Sequence, residues 1–193
     1  MTDIIIPTYK PYAPCLVKCI ESIYRHTNRF NLILACSPYG QVKNINWGLD
    51  RAKSKFVVIL DWDIQVSEGW IDKLIASFED NIGIMGSKMS GEYERWKGLS
   101  SQCKDGVQDW PTLPGGLMMF RNIGLRWDDN FQSGYWADTD FCRQFREKGY
   151  RVCINGDVTV DHSLHNSTTN PDLKNLMREG EIIYHKKWGN NEF

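Results

Sequence analysis

The chain opens with Asp3-Ile4-Ile5-Ile6-Pro7, an apolar run closed by proline, and such a run has the pattern of a strand buried on both faces of a parallel sheet. Residues 15–26 then carry Leu16, Cys19, Ile20, Ile23 and Tyr24 at intervals of three and four, the spacing of a helix lying on that sheet. The alternation continues with a strand at 31–36, a helix through Val42, Ile45, Leu49 and Ala52, and a strand at 56–60. A helix through Trp70, Leu74, Ile75 and Phe78 and a strand at 82–86 complete the first half. Strand-helix alternation of this kind predicts right-handed crossovers and an open, mostly parallel, twisted sheet with helices on both faces.

After Ser87 the rhythm gives way to a polar stretch reaching about Leu113, longer than an ordinary connection and so a candidate functional segment. The pattern then predicts a strand at 116–121, a helix at 138–148 stopped by Gly149, and two strands at 151–155 and 158–161. Asn170-Pro171 reads as the cap and first residue of a final helix carrying Leu173, Leu176, Met177, Ile183 and Tyr184. The reading is one α/β domain over 1–193, with a Rossmann-like nucleotide half at 1–87 and an acceptor half at 88–193.

Composition narrows the partners. The 193 residues suit one core, and 23 basic against 24 acidic side chains give no block of charge that would bind nucleic acid. The apolar runs are strand-sized, far below the roughly 20 residues of a membrane span. Met1-Thr2-Asp3 lacks the basic start of a signal peptide, so a cytoplasmic location is expected. The six cysteines form no CxxC pair and read as buried, reduced thiols.

The sharpest local signal is Leu60-Asp61-Trp62-Asp63, where a buried strand runs into two carboxylates one residue apart. In extended chain Asp61 and Asp63 project to one side and Trp62 to the other. Ligands of open α/β sheets collect at the carboxyl ends of strands, and paired carboxylates there call for a cation such as Mg²⁺ or Mn²⁺ that also binds a substrate's phosphates. Two solvated aspartates at a loop start would give the same four letters. His162, at the end of a predicted strand, reads either as a further ligand suited to Mn²⁺ or as a structural histidine, and His165 as a loop residue. Asp138 and Asp140 open a helix, where the dipole stabilises carboxylates and suits both a cap and a base that stays ionised. Of the tryptophans, Trp70 and Trp127 read as core, while Trp96, Trp110 and Trp136 are candidates for an acceptor groove.

Four pieces, in order, resemble the GT-A glycosyltransferases, and specifically their family 2-like, rhamnosyltransferase-like members. Ile4-Ile5-Ile6-Pro7-Thr8-Tyr9 is similar to the family's opening strand and nucleotide-contacting turn. Asn46-Trp47-Gly48 with Ala52, leading into Phe56 to Asp63, is similar to its N-x-G-x-x-x-A helix and DxD strand. Gly115-Gly116-Leu117-Met118-Met119-Phe120-Arg121 resembles the strand before the acceptor region. Asp138-Thr139-Asp140-Phe141-Cys142 with Gly149-Tyr150-Arg151 resembles the E-D-x-D helix and its ending, and Val160-Asp161-His162 the late metal-binding histidine.

The resemblance implies a metal-dependent, inverting glycosyltransferase moving a sugar from a UDP-, GDP- or dTDP-sugar to a hydroxyl of a glycan or other acceptor. It implies Asp138 as catalytic base, and Asp61, Asp63 and His162 on Mn²⁺ or Mg²⁺. It places Pro7, Thr8, Tyr9, Ser37, Asn46, Asp61, Trp62, Gly116 and Asp140 around the nucleotide sugar, with Asp140 also a candidate for capping or for orienting the acceptor. Two positions depart from the family pattern: Ala137 stands where Glu is common, and Ser37-Pro38 where an Asp-rich turn holds the base. These departures keep open a second expectation, a nucleotide-sugar binder without turnover. A haloacid-dehalogenase-type phosphatase also uses DxD, but it wants Thr or Val where Gln65 stands and carries the motif on its first strand.

Overall fold

Strand β1 (Thr2–Thr8) is buried along its whole length because it pairs on both sides, parallel to β2 (Phe30–Cys36) and to β3 (Phe56–Leu60). This computed structural model describes residues 1–91, 101–163 and 172–189. Among them helix α1 (Pro14–His26) connects β1 to β2, α2 (Gln41–Leu49) connects β2 to β3, and α3 (Trp70–Ala76) leads to β4 (Ile82–Ser90). There follow β5 (Val107–Asp109), β6 (Leu117–Arg121), α4 (Ala137–Glu147), β7 (Arg151–Asp161) and α5 (Leu173–Trp188). The described strands form one sheet in the order β2-β1-β3-β6-β4-β7-β5.

Side-chain alternation divides the core into two layers. Ile4 and Ile6 face Leu16, Cys19 and Ile23 of α1 and Trp70, Ile71 and Leu74 of α3. Ile5 faces the other way, onto Val42, Ile45 and Leu49 of α2, with Phe141 and Phe145 of α4 and Tyr184 of α5 in the same layer. Helices therefore cover both faces, as the strand-helix rhythm predicts. Gly48 lets α2 approach the sheet, since a Cβ there would stand 2.6 Å from Ile5 Cγ2.

Three local features differ from the pattern-based expectation. β6 runs antiparallel between β3 and β4, so the sheet is mixed; its apolar run Leu117-Met118-Met119-Phe120 is buried on both faces, which periodicity alone does not distinguish from a parallel strand. The two strands expected at 151–155 and 158–161 are one strand, β7, with an irregularity where its pairing to β4 passes from Ser87↔Asn155 to Lys88↔Thr159. Within the expected polar stretch, β4 extends to Ser90 and the short β5 pairs antiparallel with β7. The expected cap at Asn170-Pro171, and Trp96 and His165, lie outside the described residues.

Gly156 stands at the irregularity in β7. Its N–H donates to Gly106 O (2.8 Å), and a Cβ there would lie 1.7 Å from Lys104 O. Backbone meets backbone at that point, so neither side can yield by rotating a side chain. Gly156→Ala should lower stability by about 3 kcal/mol, within the range of overpacked sites, as read by urea denaturation; a change below about 0.5 kcal/mol would refute this account of the close approach.

Candidate functional site

β3 delivers Asp61 to the carboxyl edge of the sheet, where Asp61 N–H makes a last sheet-like bond to Gly116 O (2.8 Å). The chain then turns, with Ile64 N–H returning to Asp61 O (3.2 Å). Asp61 and Asp63 therefore converge through a tight turn instead of the expected strand alternation, and Trp62 faces the same cavity rather than packing opposite. The turn is held from two sides. From α1, Ser22 Oγ accepts Val66 N–H (3.1 Å) and the Cys19 thiol reaches Asp61 O (3.6 Å). From β7, Gln65 and Asp161 exchange two backbone hydrogen bonds of 2.8 and 2.9 Å, which bring the next residue, His162, against Asp63.

His162 Nε2 lies 3.1 Å from Asp63 Oδ1, with both side chains buried. Ligand atoms of Asp61, Asp63 and His162 lie within 4.8 Å of one another. A hexacoordinate ion with bonds near 2.1 Å holds ligand atoms about 3 to 4.2 Å apart, so the three side chains would draw together around it. Two carboxylates with one imidazole fit Mn²⁺ and suit Mg²⁺ less well.

The cluster lies in the wall of a cavity of about 560 Å³, within the size range of small-molecule sites. Pro7, Thr8 and Tyr9 from the end of β1 line it, as do Trp62, Gly116, Asp138 and Trp136. Asp138 sits in the first turn of α4, with Oδ2 accepting Gly115 N–H (3.0 Å) and Oδ1 accepting Thr139 N–H (2.8 Å). Oδ1 also accepts the Thr139 hydroxyl (3.4 Å). Among the described lining residues there are three carboxylates and no lysine or arginine.

That concentration of charge shifts the titration of the site. Burial, then the neighbouring Asp63 carboxylate, with a smaller push from Asp138, drives Asp61 up to about 7, against opposing effects of His162 and the Gln41 amide. For His162 burial works against the charged form, but the bond to Asp63 and the charges of Asp61, Asp63 and Asp161 outweigh it and raise its pKa.

Three expected ligand contacts do not line the cavity. Asn46 spends its side chain on Trp127, accepting its N–H and donating to its carbonyl, and on Asp129. Ser37 bonds to Asn44 and accepts Tyr39 N–H. Asp140 is fully buried, bonded to Gln144, Lys187 and Trp188, because two residues along a helix turn a side chain through about 200° from Asp138. Trp70 is core as expected, and Trp127 is buried but also touches the cavity. Trp110 packs against the second core layer and does not line the cavity; Ala137 is fully buried in that layer.

Pattern reasoning missed Gln41 and Asn44, three apart on one face of α2. Asn44 ties the ends of β1 and β2 together, donating to Thr8 O (3.2 Å) and Ser37 O (3.1 Å). Gln41 Nε2 donates to Asp61 Oδ1 (3.2 Å). A polar residue on the buried stripe of α2, at Asn44 between Val42 and Ile45, was the available signal.

The raised pKa values give a pH prediction. Asp61 in the fold holds a proton that the unfolded chain releases near 4, and raised His162 holds one that the unfolded chain releases near 6.5. Both contributions are present at low pH and are lost as pH rises, that of Asp61 between about 4 and 7 and that of His162 through its raised pKa. A divalent ion must displace these protons, so the rise in melting temperature on adding Mn²⁺ should grow from pH 5.5 to pH 8. Scanning fluorimetry in EDTA and in Mn²⁺ reads this; an equal rise at both pH values would contradict it.

Comparisons with known proteins agree on the fold. GalNAc-T7, solved with UDP, GalNAc and Mn²⁺, superposes with a TM-score of 0.72 at 14% identity, covering 98% of this chain and 50% of that one. S. aureus TarS gives 0.69 at 15% identity, covering 95% and 39%. The mannosyltransferase PcManGT of Pyrobaculum calidifontis, solved with GDP-Man and Mn²⁺, gives 0.65 at 16%, covering 86% and 58%. The chain thus has the GT-A fold and spans about half the length of these solved chains. No curated protein matches it in sequence. The model of the family described as glycosyl transferase family 2 matches residues 28–137, more than half of the sequence and the stretch that supplies Asp61, Asp63 and Gly116, and the chain belongs to that family.

Proposed function

We propose that the protein binds a nucleoside-diphosphate sugar together with a divalent cation and transfers the sugar to a neutral acceptor hydroxyl with inversion of the anomeric centre. The observation that carries this reading is the shared cavity, in which Asp61, Asp63 and His162 converge while Asp138 presents a separately held carboxylate. Residues 1–87 supply the nucleotide-sugar side and 88–193 the acceptor side, though Asp161 and His162 cross between the two. The free cysteines, five of them buried, suit a reducing compartment, here the cytoplasm.

Asp61, Asp63 and His162 would hold Mn²⁺. When bound, the ion supplies Lewis-acid stabilisation of the charge that develops on the departing diphosphate. That no described lysine or arginine lines the wall supports this reading. Pro7, Thr8 and Tyr9 border the nucleoside end, with Tyr9 set edge-on to Trp62 at a centroid distance of 5.9 Å. UDP and GDP are the first nucleotides to test, since they accompany the similar solved structures.

Asp138 receives the acceptor proton. The Gly115 and Thr139 amides fix its carboxylate. The acceptor oxygen bonds to the anomeric carbon as the bond from that carbon to the phosphate oxygen breaks, and the hydroxyl proton passes to Asp138. With Asp61 and Asp63 assigned to the ion, one carboxylate remains among the described lining residues. That supports a single displacement, and hence inversion, by the same geometric logic that divides glycoside hydrolases. At the acceptor end, Trp136, Tyr135, Leu173 and Met177 present apolar surface suited to the ring face of an uncharged sugar.

Two substitutions separate binding from chemistry. Asp63→Ala should weaken Mn²⁺ binding at least about tenfold in calorimetry and remove Mn²⁺-dependent nucleotide binding. Asp138→Asn should retain both and lower turnover by about 10²–10⁴, as read by release of nucleoside diphosphate from UDP-GlcNAc or GDP-mannose. Unchanged nucleotide binding in Asp63→Ala would overturn the metal reading. Nucleotide-sugar binding without release under any acceptor would favour the non-catalytic binder.

A further inference from the structure

We infer that Asp140 is a positioning residue, a latch that seats α5 against α4 and thereby builds the acceptor-side wall of the cavity. The inference rests on the acceptor reading of that end of the cavity. Asp140 has no exposed surface and does not line the cavity that Asp138, two residues earlier, does line. Trp188 Nε1 donates to its Oδ1 (2.7 Å), Lys187 Nζ reaches the same oxygen (2.8 Å), and Gln144 Nε2 donates to Oδ2 (2.8 Å). Lys187 also reaches Asp128 (2.8 Å), so one lysine at the end of α5 bridges two acidic groups of the body of the protein.

The opposite end of α5 contributes Leu173 and Met177 to the cavity. Between the two ends, Gly180 lies directly on the backbone before α4, where a Cβ would stand 2.4 Å from Tyr135 O. Beside it Trp136, whose backbone adopts the left-handed φ of 68°, packs its ring against Tyr184 and His185 at 5.3 and 5.9 Å. Trp136 is the residue before Ala137-Asp138. One seam therefore fixes the position of α5, the orientation of the Trp136 ring and the entry of the chain into the helix that bears the proposed base. Asp140 and Trp188 close the far end of that seam. A buried carboxylate with this partner set binds a helix of its own chain, and no ligand is required to satisfy it.

The latch predicts a division of effects. Releasing α5 opens the acceptor side to water, while the metal cluster on β3 and β7 and the nucleotide side at the end of β1 keep their supports. The test compares Trp188→Phe and Asp140→Asn with the unaltered protein; the first removes the indole donor and part of a half-buried ring, and the second keeps one accepting oxygen but removes the charge facing Lys187. Backbone hydrogen exchange over 173–186 should speed by about tenfold with β1 and β3 unchanged. Affinity for UDP with Mn²⁺ should stay within about twofold, whereas hydrolysis of UDP-GlcNAc or GDP-mannose by water should rise about threefold as the shield loosens. Unchanged exchange over 173–186, or exchange that rises equally in β1 and β3, overturns the latch. Faster exchange with unchanged or slower hydrolysis removes α5 from the acceptor wall. If the unaltered protein binds neither UDP nor GDP, the glycosyltransferase reading fails, and the exchange measurement alone still decides the latch.

Discussion

Bringing three carboxylates into one cavity wall without a described lysine or arginine beside them is the constraint on which this structure turns. Left alone, such a group repels itself and retains protons near neutrality, as the elevated Asp61 and His162 show. The arrangement makes chemical sense when positive charge arrives with the substrate complex. The fold tolerates the electrostatic penalty because the backbone around the group is fixed elsewhere: by the Gln65–Asp161 bridge, by Ser22 beneath the turn, and by the sheet bond from Asp61 to Gly116.

The same rigid frame separates the two chemical tasks. The atoms of the proposed ion site come from the ends of β3 and β7, strands that point the same way across the sheet, whereas Asp138 comes from the start of a helix docked over the other core layer. Glycines 115 and 116 lie between the two. At Gly116 a Cβ would stand 2.9 Å from Met89 Cε and 3.1 Å from Ile64 Cδ1, so a side chain there would displace the ends of these two residues beneath the cavity. The proposed ion site and the proposed base are thus anchored to different layers, and substitutions in one need not disturb the other.

Much of this was legible in the residues. The apolar runs and the three-four spacing located the helices and most strands because burial imposes those periods directly. Asp61, Asp63 and Asp138 stood out because they end a buried strand and open an amphipathic helix, although a loop start and a helix cap account for such carboxylates equally well. Strand direction was not legible: Leu117-Met118-Met119-Phe120 carries the same apolar pattern whichever way it runs. Nor were the roles of Asn46 and Asp140, since a polar side chain that ties two segments together looks, in one dimension, like one that meets a ligand. Gln41 and Asn44 escaped notice for the complementary reason, as their partners Asp61, Thr8 and Ser37 are remote or belong to the backbone.

The reversed strand β6 has a consequence for modularity. It belongs by sequence to the later half, yet it is the neighbour that completes β3 and links it to β4. Cutting the polypeptide after residue 87 would therefore leave the sheet split down its middle, with β3 and β4 each missing a hydrogen-bonded flank. The two halves of the sequence are interleaved rather than joined end to end. Exchange of specificity between relatives of this architecture is accordingly confined to loops and to helices laid on the surface, because the sheet itself cannot be divided into portable parts.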